Sequence, residues 1–356
     1  MDAEIHQRLS RLLHAAQQVR QPGAFGGEAR TRLVASSGLS AAGVALALER
    51  SLECEPSSDE LEALAQSVVP APRVHVLLSA GVFVAAHRAI ALALCASPHV
   101  SVRASRRDPA MLAILAEAAP GLFDVTQQLD PVPGDHVFAF GAADTLQELR
   151  GALPRGVILH AHGPGAGVVV VHSSQLESDA QRDELAQQLA LDSALFEQRG
   201  CLSPRLVLVS GDPEAAPSWA AALARQLAEL ESTLPPGRLT EAERADITRY
   251  RSNLAYAGQL FRAGGGFVGL AASAAPLELA PVGRNLHVVV VEDPAAALRA
   301  ISTHVTTYAA AGPSSLLQAL AAALPLARVA RFGRMQSPPL DGPVDRRTSK
   351  HGEMLR

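Results

Sequence analysis

The clearest pattern along the chain is an alternation of short β-branched runs with longer Ala/Leu-rich runs. Val74 to Leu78 is a short apolar run that closes at Ser79-Ala80-Gly81, and an Ala/Leu pattern with helical spacing continues through Cys95. A short apolar run bounded by turn residues predicts a buried strand, whereas sustained helical spacing predicts a helix. This stretch therefore predicts a strand, a turn and a helix.

The same alternation continues down the chain. Further strands are predicted at 100–103, 136–140, 168–171, 206–210 and 287–291, and further helices at 108–119, 145–153, 178–191, 218–230 and 241–257. Alternating units of this length favour a mostly parallel sheet covered by helices on both faces. The predicted fold class is α/β, of the Rossmann nucleotide-binding type.

The two ends of the chain depart from this alternation, and 356 residues exceed what one hydrophobic core usually serves. The start has helical spacing, whereas the end is Pro/Gly-rich and charged, without periodicity, and we expect its last part to be mobile. We predict an N-terminal helical segment at 1–69, a nucleotide-binding α/β domain at 70–190, a second α/β domain carrying a thiol at 191–335, and a tail at 336–356.

Composition narrows the class of protein. Hydrophobic residues make up 48% of the chain and charged residues 19%, which is enough apolar material for a buried core. A net charge of -4, with three tyrosines and one tryptophan, argues against a nucleic-acid partner. The longest apolar region, 74–96, is interrupted by His75, His87 and Arg88, so a membrane span is not expected.

Three widely spaced cysteines match no zinc spacing and suit a reducing cytoplasm, so we expect a cytoplasmic protein without a metal site. Cys201 lies in a predicted turn between a helix and a strand, a position that exposes a side chain at the edge of a sheet. Arg199 and Arg205 would favour its thiolate if they point inward. The alternative is a small buried hydrophobe, the common role of an unmodified cysteine.

The segment E-Q-R-G-C-L-S-P-R around Cys201 resembles the nucleophile segment of the acyl-CoA reductases related to the bacterial luminescence fatty-acid reductase, a branch of the aldehyde dehydrogenase superfamily. Other segments resemble landmarks of that family, in the same order: V-H-V-L-L-S-A-G-V-F, S-V-R-A-S-R-R-D-P, H-V-F-A-F-G-A-A-D-T and A-R-F-G-R-M-Q-S-P-P-L-D. The resemblance covers roughly residues 73 to 341. It implies an aldehyde-dehydrogenase-like fold, with a Rossmann-type cofactor domain and a catalytic thiol domain.

The resemblance also implies a reaction. Cys201 would attack an acyl-CoA or acyl-carrier thioester, and the enzyme-bound thioester would be reduced by NADPH or NADH to an aldehyde. Superfamily members that oxidise aldehydes carry a glutamate base in an E-L-G-G segment, whereas the corresponding stretch here, 160–165, has no carboxylate. Association into a homo-oligomer or with a partner enzyme is implied in the same way.

Candidate cofactor contacts lie at two strand ends. Gly141, Ala142 and Thr145 follow a predicted strand and open a helix, where a pyrophosphate can approach backbone N–H groups, although such a glycine also serves simple turns. Arg103 and Ser105 stand where the family has a lysine and a serine beside the adenosine ribose. Because arginine pairs well with a 2′-phosphate, we favour NADPH; a solvated charge cluster is the alternative.

Two departures from the family pattern keep a second hypothesis open. Val82 stands where the family has an asparagine that stabilises the oxyanion, and loss of such a donor costs about a hundred-fold in rate. Gly342 replaces a family tryptophan. The alternative is a divergent, weakly active or inactive protein that binds a nucleotide, an acyl group or a partner.

Overall fold

The computed structural model describes residues 1–271, 277–347 and 352–354. The chain divides into two compact units: the first comprises residues 1–37, 44–164 and 337–356, and the second comprises 38–43 and 165–336. Each unit has its own β-sheet and its own buried core.

The first unit combines N-terminal helices with a six-stranded sheet. Its helices are α1 Ala3–Arg20, α2 Ala24–Ser37, α3 Ala41–Ser51 (whose residues 41–43 group with the second unit), α4 Ser58–Gln66, α5 Ala85–Ala96, α6 Ala110–Ala118 and α7 Ala143–Ala152; its strands are β1 Val74–Leu77, β2 Val100–Arg103, β3 Asp124–Val125, β4 His136–Phe140, β5 Ile158–His162 and β13 Glu353–Met354. The strand order is β13-β5-β4-β1-β2-β3, parallel except for the short β13.

The order of these strands creates a crevice. The chain runs from β1 outward to β2 and β3, then returns to place β4 and β5 on the other side of β1. In open α/β sheets, ligands bind outside the carboxyl ends of the strands at such a reversal. The carboxyl ends of β1 and β4 are therefore the expected position of a ligand in this unit.

The second unit contains a seven-stranded sheet in the order β12-β11-β6-β7-β10-β9-β8, in which only the β8–β9 hairpin is antiparallel. Its strands are β6 Ala166–His172, β7 Pro204–Ser210, β8 Gly258–Ala263, β9 Gly266–Ala271, β10 Leu286–Val290, β11 Val305–Ala311 and β12 Arg328–Ala330; its helices are α8 Asp179–Ala194, α9 Ala215–Leu230, α10 Glu241–Ala257, α11 Pro294–Ala300 and α12 Ser314–Ala323.

Strands β6 and β7 run through the middle of this sheet, and their alternate residues face different cores. Val169 and Val207 pack in one core with the fully buried Trp219 of α9, whereas Val168 and Leu208 pack in the other core. Continuous Val/Leu runs suit strands that are covered on both faces. These two strands are therefore the most deeply buried part of the second unit.

The structure contains every strand and helix named above as an expectation, with ends that differ by a few residues. The division of the chain differs: the boundary falls after Pro164 rather than after residue 190, because β6 hydrogen-bonds with β7 and β11 and α8 packs against α9. Segment 1–69 is helical, but α1 packs on α5 and α6 within the first unit instead of standing apart. The predicted mobile end falls largely on residues 348–351 and 355–356, outside the described residues.

Within the described residues, no single helix is long and apolar enough to cross a membrane. Helices α2 and α3, taken together as a bent pair, have the length and the apolar composition that a membrane span requires.

Candidate functional site

The residues expected to contact a cofactor lie at one edge of the first unit. Leu77 of β1 is in register with Arg103 of β2 and with Ala139 of β4, so the turns that follow these parallel strands emerge side by side. Arg103 ends β2, and Gly141 links β4 to α7. The fold thus places the two groups of residues at the same end of the sheet, with β1 between the strands that carry them.

The start of α7 fits an anionic ligand. Ala142 occupies the N-cap position and provides no side-chain cap, and residues 142–145 are exposed, so backbone N–H groups of the first turn face solvent. A Cβ at Gly141 would meet only Thr145, at 3.7 Å, an ordinary contact. Packing within the chain therefore does not require a glycine at position 141. Close approach of a ligand to the backbone is a physical reason for a glycine at this position.

Three cationic side chains lie at the same end of the sheet, at the last residue of β2 and in the segment that follows it. Arg103 is half-buried, while Arg106 and Arg107 are exposed, and no described acidic side chain forms an ion pair with any of them. Ser105 Oγ accepts a hydrogen bond from Arg107 N at 3.3 Å, which organises the turn. Unpaired arginines at this edge favour an anion, although Asp144 adds a negative charge in the first turn of α7.

A small cavity of about 20 Å³ opens at the β1–β4 reversal, room for about one water molecule. Val82, half-buried in the turn after β1, lines this cavity with Phe83, Met111 and Phe140. The position that carries the oxyanion amide in the resembling family is therefore an apolar side chain here, although Ser79 and Asp108 also line the cavity.

Two histidines of β5 lie at the end of the same sheet. His162 stacks on Phe140, with ring centroids 4.6 Å apart, and burial lowers its pKa to about 4 against the opposing charge of Asp345. His160 Nε2 lies 3.2 Å from His136 Nδ1. No group of three or more His, Cys, Asp or Glu side chains in the described part of the chain is placed to hold a metal.

Cys201 lies in a tight turn between α8 and β7, as the sequence predicts. Ser203 N donates to Gly200 O at 3.1 Å, which closes the turn, and Ser203 O accepts from Gly167 N at 2.8 Å at the start of β6. The Cys201 side chain is partly exposed, whereas Leu202 and Ser203 are buried. The turn thus leaves the thiol partly accessible to solvent while the next two residues are buried.

The turn is also tied to the last segment of the second unit. Gln336 Nε2 donates to Ser203 Oγ at 2.7 Å, and the fully buried Asp192 accepts from Gly333 N at 2.7 Å and from Met335 N at 3.0 Å. Burial raises the pKa of Asp192 to about 7, against the effect of these hydrogen bonds. Two of the family-like segments, C-L-S-P-R and F-G-R-M-Q-S, therefore meet in the fold.

An unusual backbone segment precedes the thiol. Phe196, Glu197 and Gln198 have φ values of 55°, 51° and 61°, and all three are buried. L-residues adopt this left-handed region at a cost of roughly 1–2 kcal/mol each, and such strain concentrates at functional sites. Nothing in the local sequence predicts it, because the segment contains no Gly or Asn.

The two arginines near Cys201 have other partners. Arg199 Nε donates to Glu243 Oε1 at 2.7 Å, and Arg205 Nε donates to Ala280 O at 2.5 Å. These two contacts fix the segments on either side of the turn.

The remaining cysteines are poor nucleophiles. Cys54 and Cys95 are buried, and burial raises the pKa of the Cys54 thiol to about 11 and that of Cys95 to about 12. A thiol needs ionisation to attack a carbonyl carbon, so both remain unreactive at neutral pH. Cys201 is the candidate nucleophile of this chain.

The model of the acyl-CoA reductase (LuxC) family matches residues 126–343, which is more than half of the chain and includes the Cys201 turn. The chain belongs to this family. The protein is thus an oxidoreductase of the acyl-CoA reductase type.

Solved structures confirm the fold of this acyl-CoA reductase. An oxidoreductase from Marinobacter aquaeolei matches with a TM-score of 0.71 and 10% identity, over 94% of this chain and 79% of that one. A NAD-dependent benzaldehyde dehydrogenase from Corynebacterium glutamicum matches with a TM-score of 0.69 and 14% identity, over 93% and 82% of the two chains. A methylmalonate-semialdehyde dehydrogenase from Oceanimonas doudoroffii matches with a TM-score of 0.71 and 14% identity, over 95% of this chain and 79% of that one. No protein of curated function matches the chain.

Sequence reasoning missed most of the residues that hold the acyl-CoA reductase turn. Asp192, Glu197 and Gln198 are polar residues that interrupt buried apolar segments, which is the signal that could have marked them. Arg284 and Asn285 stand directly before the apolar strand β10 and carry the same signal. Their partners could not be read from the sequence, because they lie far apart along the chain.

Proposed function

We propose that this protein reduces an acyl thioester, acyl-CoA or acyl-carrier, to the aldehyde through a covalent thioester on Cys201. The observation that carries the proposal is the contrast among the thiols: Cys201 is partly exposed in a turn held on both sides, whereas burial raises the pKa of Cys54 and Cys95. The family supports an acyl-CoA substrate.

The covalent step follows from the chemistry of the thiol. The Cys201 thiolate adds to the carbonyl carbon of the acyl thioester, a C–S bond to Cys201 forms, and the bond to the coenzyme A sulfur breaks. Coenzyme A leaves as a thiolate and takes a proton from solvent. Thiolates are good leaving groups, so no base is needed to activate water, which agrees with the lack of a carboxylate in 160–165.

A nicotinamide cofactor fits the exposed edge of the first unit. The uncapped N-terminus of α7 and Gly141 would receive the pyrophosphate, with Ala142 and Thr145 beside it. Arg103 and Ser105 would lie at the adenosine ribose, and the absence of an acidic partner for Arg103 among the described residues favours the 2′-phosphate of NADPH over NADH. A reduced nicotinamide, when bound, would supply the hydride that an acyl thioester needs for reduction to an aldehyde and a thiolate.

The first experiment is intact-protein mass spectrometry after incubation with a panel of acyl-CoAs, together with assays of NADPH and NADH oxidation. We expect one acyl adduct, mapped to Cys201, that disappears with release of aldehyde when NADPH is added. Cys201→Ala should fold normally and take no acyl group, while Cys54→Ala serves as the matched control and should behave as the wild type.

Each outcome decides between hypotheses. An adduct on Cys54 or Cys95, or an acylated Cys201→Ala variant, would remove Cys201 from the mechanism. No adduct with any acyl-CoA would favour the alternative of a protein that binds a nucleotide or acyl group without turnover, an alternative supported by the apolar Val82 in place of an oxyanion amide.

A further inference from the structure

The left-handed turn at 196–198 needs an explanation beyond its own sequence. Its three residues have positive φ values, are no more than 3% exposed, and end three residues before Cys201. A conformation that L-residues rarely adopt persists only when surrounding contacts hold it. The contacts of Glu197 and Gln198 identify what holds it.

Glu197 is fixed through both its side chain and its backbone. Its carboxylate accepts from Arg284 Nη2 at 2.8 Å, from Arg284 Nε at 3.2 Å and from Gly237 N at 3.0 Å. Its carbonyl oxygen accepts from Gly283 N at 3.0 Å. The Glu197–Arg284 ion pair is almost completely buried, and Arg284 itself has a φ of 65°.

Gln198 fastens both ends of the Cys201 turn. Its Nε2 donates to Pro204 O at 2.8 Å, on the far side of Cys201, and to Asn285 O at 2.7 Å. Its Oε1 accepts from Asn285 N at 2.8 Å. One side chain therefore closes the loop 199–203 and joins it to the segment that leads into β10.

The sheet explains why these residues meet. β7 and β10 are parallel neighbours, with Leu206 in register with His287, so the segments that precede them lie side by side. Buried ion pairs contribute little net stability compared with apolar packing of the same volume, but they specify one geometry. Buried polar contacts around a strained turn therefore fix the conformation of that turn more than they increase the stability of the core.

We propose that Glu197 and Gln198, held by Arg284 and Asn285, are positioning residues that fix the direction of the Cys201 thiol for attack on the thioester. This inference rests on the proposed role of Cys201 as the nucleophile. These four residues, here called the turn clamp, act through the backbone of the turn; Asn285 contributes its backbone N–H and carbonyl to Gln198.

Gln198→Gly tests the clamp because glycine accepts the positive φ while all three side-chain hydrogen bonds are lost. The full-length protein is mixed with acyl-CoA, and the rate of Cys201 acylation is followed by mass spectrometry across a range of acyl-CoA concentrations. We expect the rate at saturation to fall about 100-fold, the loss typical of a small misplacement of a reacting group. The half-saturating acyl-CoA concentration and the dissociation constant for NADPH should stay close to their wild-type values.

A second variant guards against loss of folding. Glu197→Gln keeps the shape of the side chain but removes the charge that faces Arg284, and we expect the same slower acylation at saturation. Asp183→Asn is the matched control: it neutralises a carboxylate of similar type in a pair with Arg225 that is about half exposed, and should acylate as the wild type does. Wild-type acylation rates in both clamp variants, or an equal effect of the control, would overturn the proposal.

The test separates the clamp from the proposed function. If wild-type Cys201 takes no acyl group, the proposed function fails, and alkylation of Cys201 by iodoacetamide then reports on the clamp alone. If the alkylation rate changes in Gln198→Gly but not in Asp183→Asn, the turn clamp still positions the thiol. Identical alkylation rates in the wild type and both variants would contradict the clamp.

Discussion

Asp192 combines complete burial with a structural task. Its carboxylate accepts two backbone hydrogen bonds from the segment 333–335, next to the Gln336 side chain that holds Ser203. Burial disfavours the charged form and raises its pKa to about 7, whereas the hydrogen bonds favour the charged form. The protonation of this one carboxyl group therefore affects the hydrogen bonds that hold the segment supporting the Cys201 turn.

Asp192→Asn should remove one pH-dependent contribution to stability. The pKa is about 3.9 in an unfolded chain and about 7 in the folded protein, so between these values the folded protein keeps a proton that the unfolded chain has lost. Wild-type stability relative to the variant should therefore fall as pH rises from about 4 to about 7, by at most about 1.4 kcal/mol per pH unit, and level off above. Urea unfolding of both proteins at a series of pH values measures this difference; parallel curves would contradict it.

At the scale of elements, the start of β6 is packed directly against the Cys201 turn. A Cβ at Gly167 would lie 2.5 Å from Leu202 O and 2.9 Å from Met335 Cε. The first of these atoms belongs to the backbone and cannot move without displacing the turn. The absence of a side chain at one strand position therefore allows β6, the turn and the 333–336 segment to pack together.

Gly167→Ala should destabilise the protein by roughly 1–3 kcal/mol, the cost of overpacking a tightly packed site. Gly151→Ala is the control with opposite sign: nothing lies within 4 Å of its added Cβ, and alanine favours a helix such as α7 over glycine by about 0.5–1 kcal/mol. Urea unfolding of the two variants compares them. Equal stability changes would show that Gly167 is not constrained by the turn.

At the scale of the whole chain, the C-terminal segment belongs to the first unit although it follows the second in sequence. The nearly buried Arg88 of α5 donates to the carbonyl oxygens of Pro338, Pro339 and Gly342, at 3.0, 2.7 and 2.6 Å. The same guanidinium binds Glu53 through its Nε at 3.0 Å. One arginine thus anchors the tail to α5 and to the loop that follows α3.

Arg88→Met should cost roughly 3–5 kcal/mol, because it removes the arginine partner of Glu53, which retains His87 at 3.6 Å, and leaves several carbonyl groups without this donor in the interior. We also expect faster proteolytic cleavage within 337–343, measured by mass spectrometry of limited digests. Arg225→Met, which breaks a half-exposed pair with Asp183, is the control and should change stability by less than about 0.5 kcal/mol. A tail that stays resistant to protease in Arg88→Met would show that other contacts anchor it.

Much of the architecture could be predicted because strands and helices follow local periodicity. The pattern located β1, β2 and β4 and the helices between them, and the resemblance around Cys201 led to the family. β5 escaped notice because His160 and His162 interrupt its apolar pattern, although both histidines are buried in the structure. Burial of a polar residue depends on its neighbours in space, which periodicity does not report.

The sequence by itself determined the α/β class, the family and the position of Cys201 in a turn between α8 and β7. Only the tertiary structure decided that β6 joins the second unit, that the tail returns to Arg88, and that Gln198 meets Asn285, 87 positions away along the chain. The physical reason is that strand and helix formation depends on the spacing of nearby residues, whereas these contacts depend on which parallel strands become neighbours. That pairing brings distant segments to the same end of a sheet, and no local pattern records it.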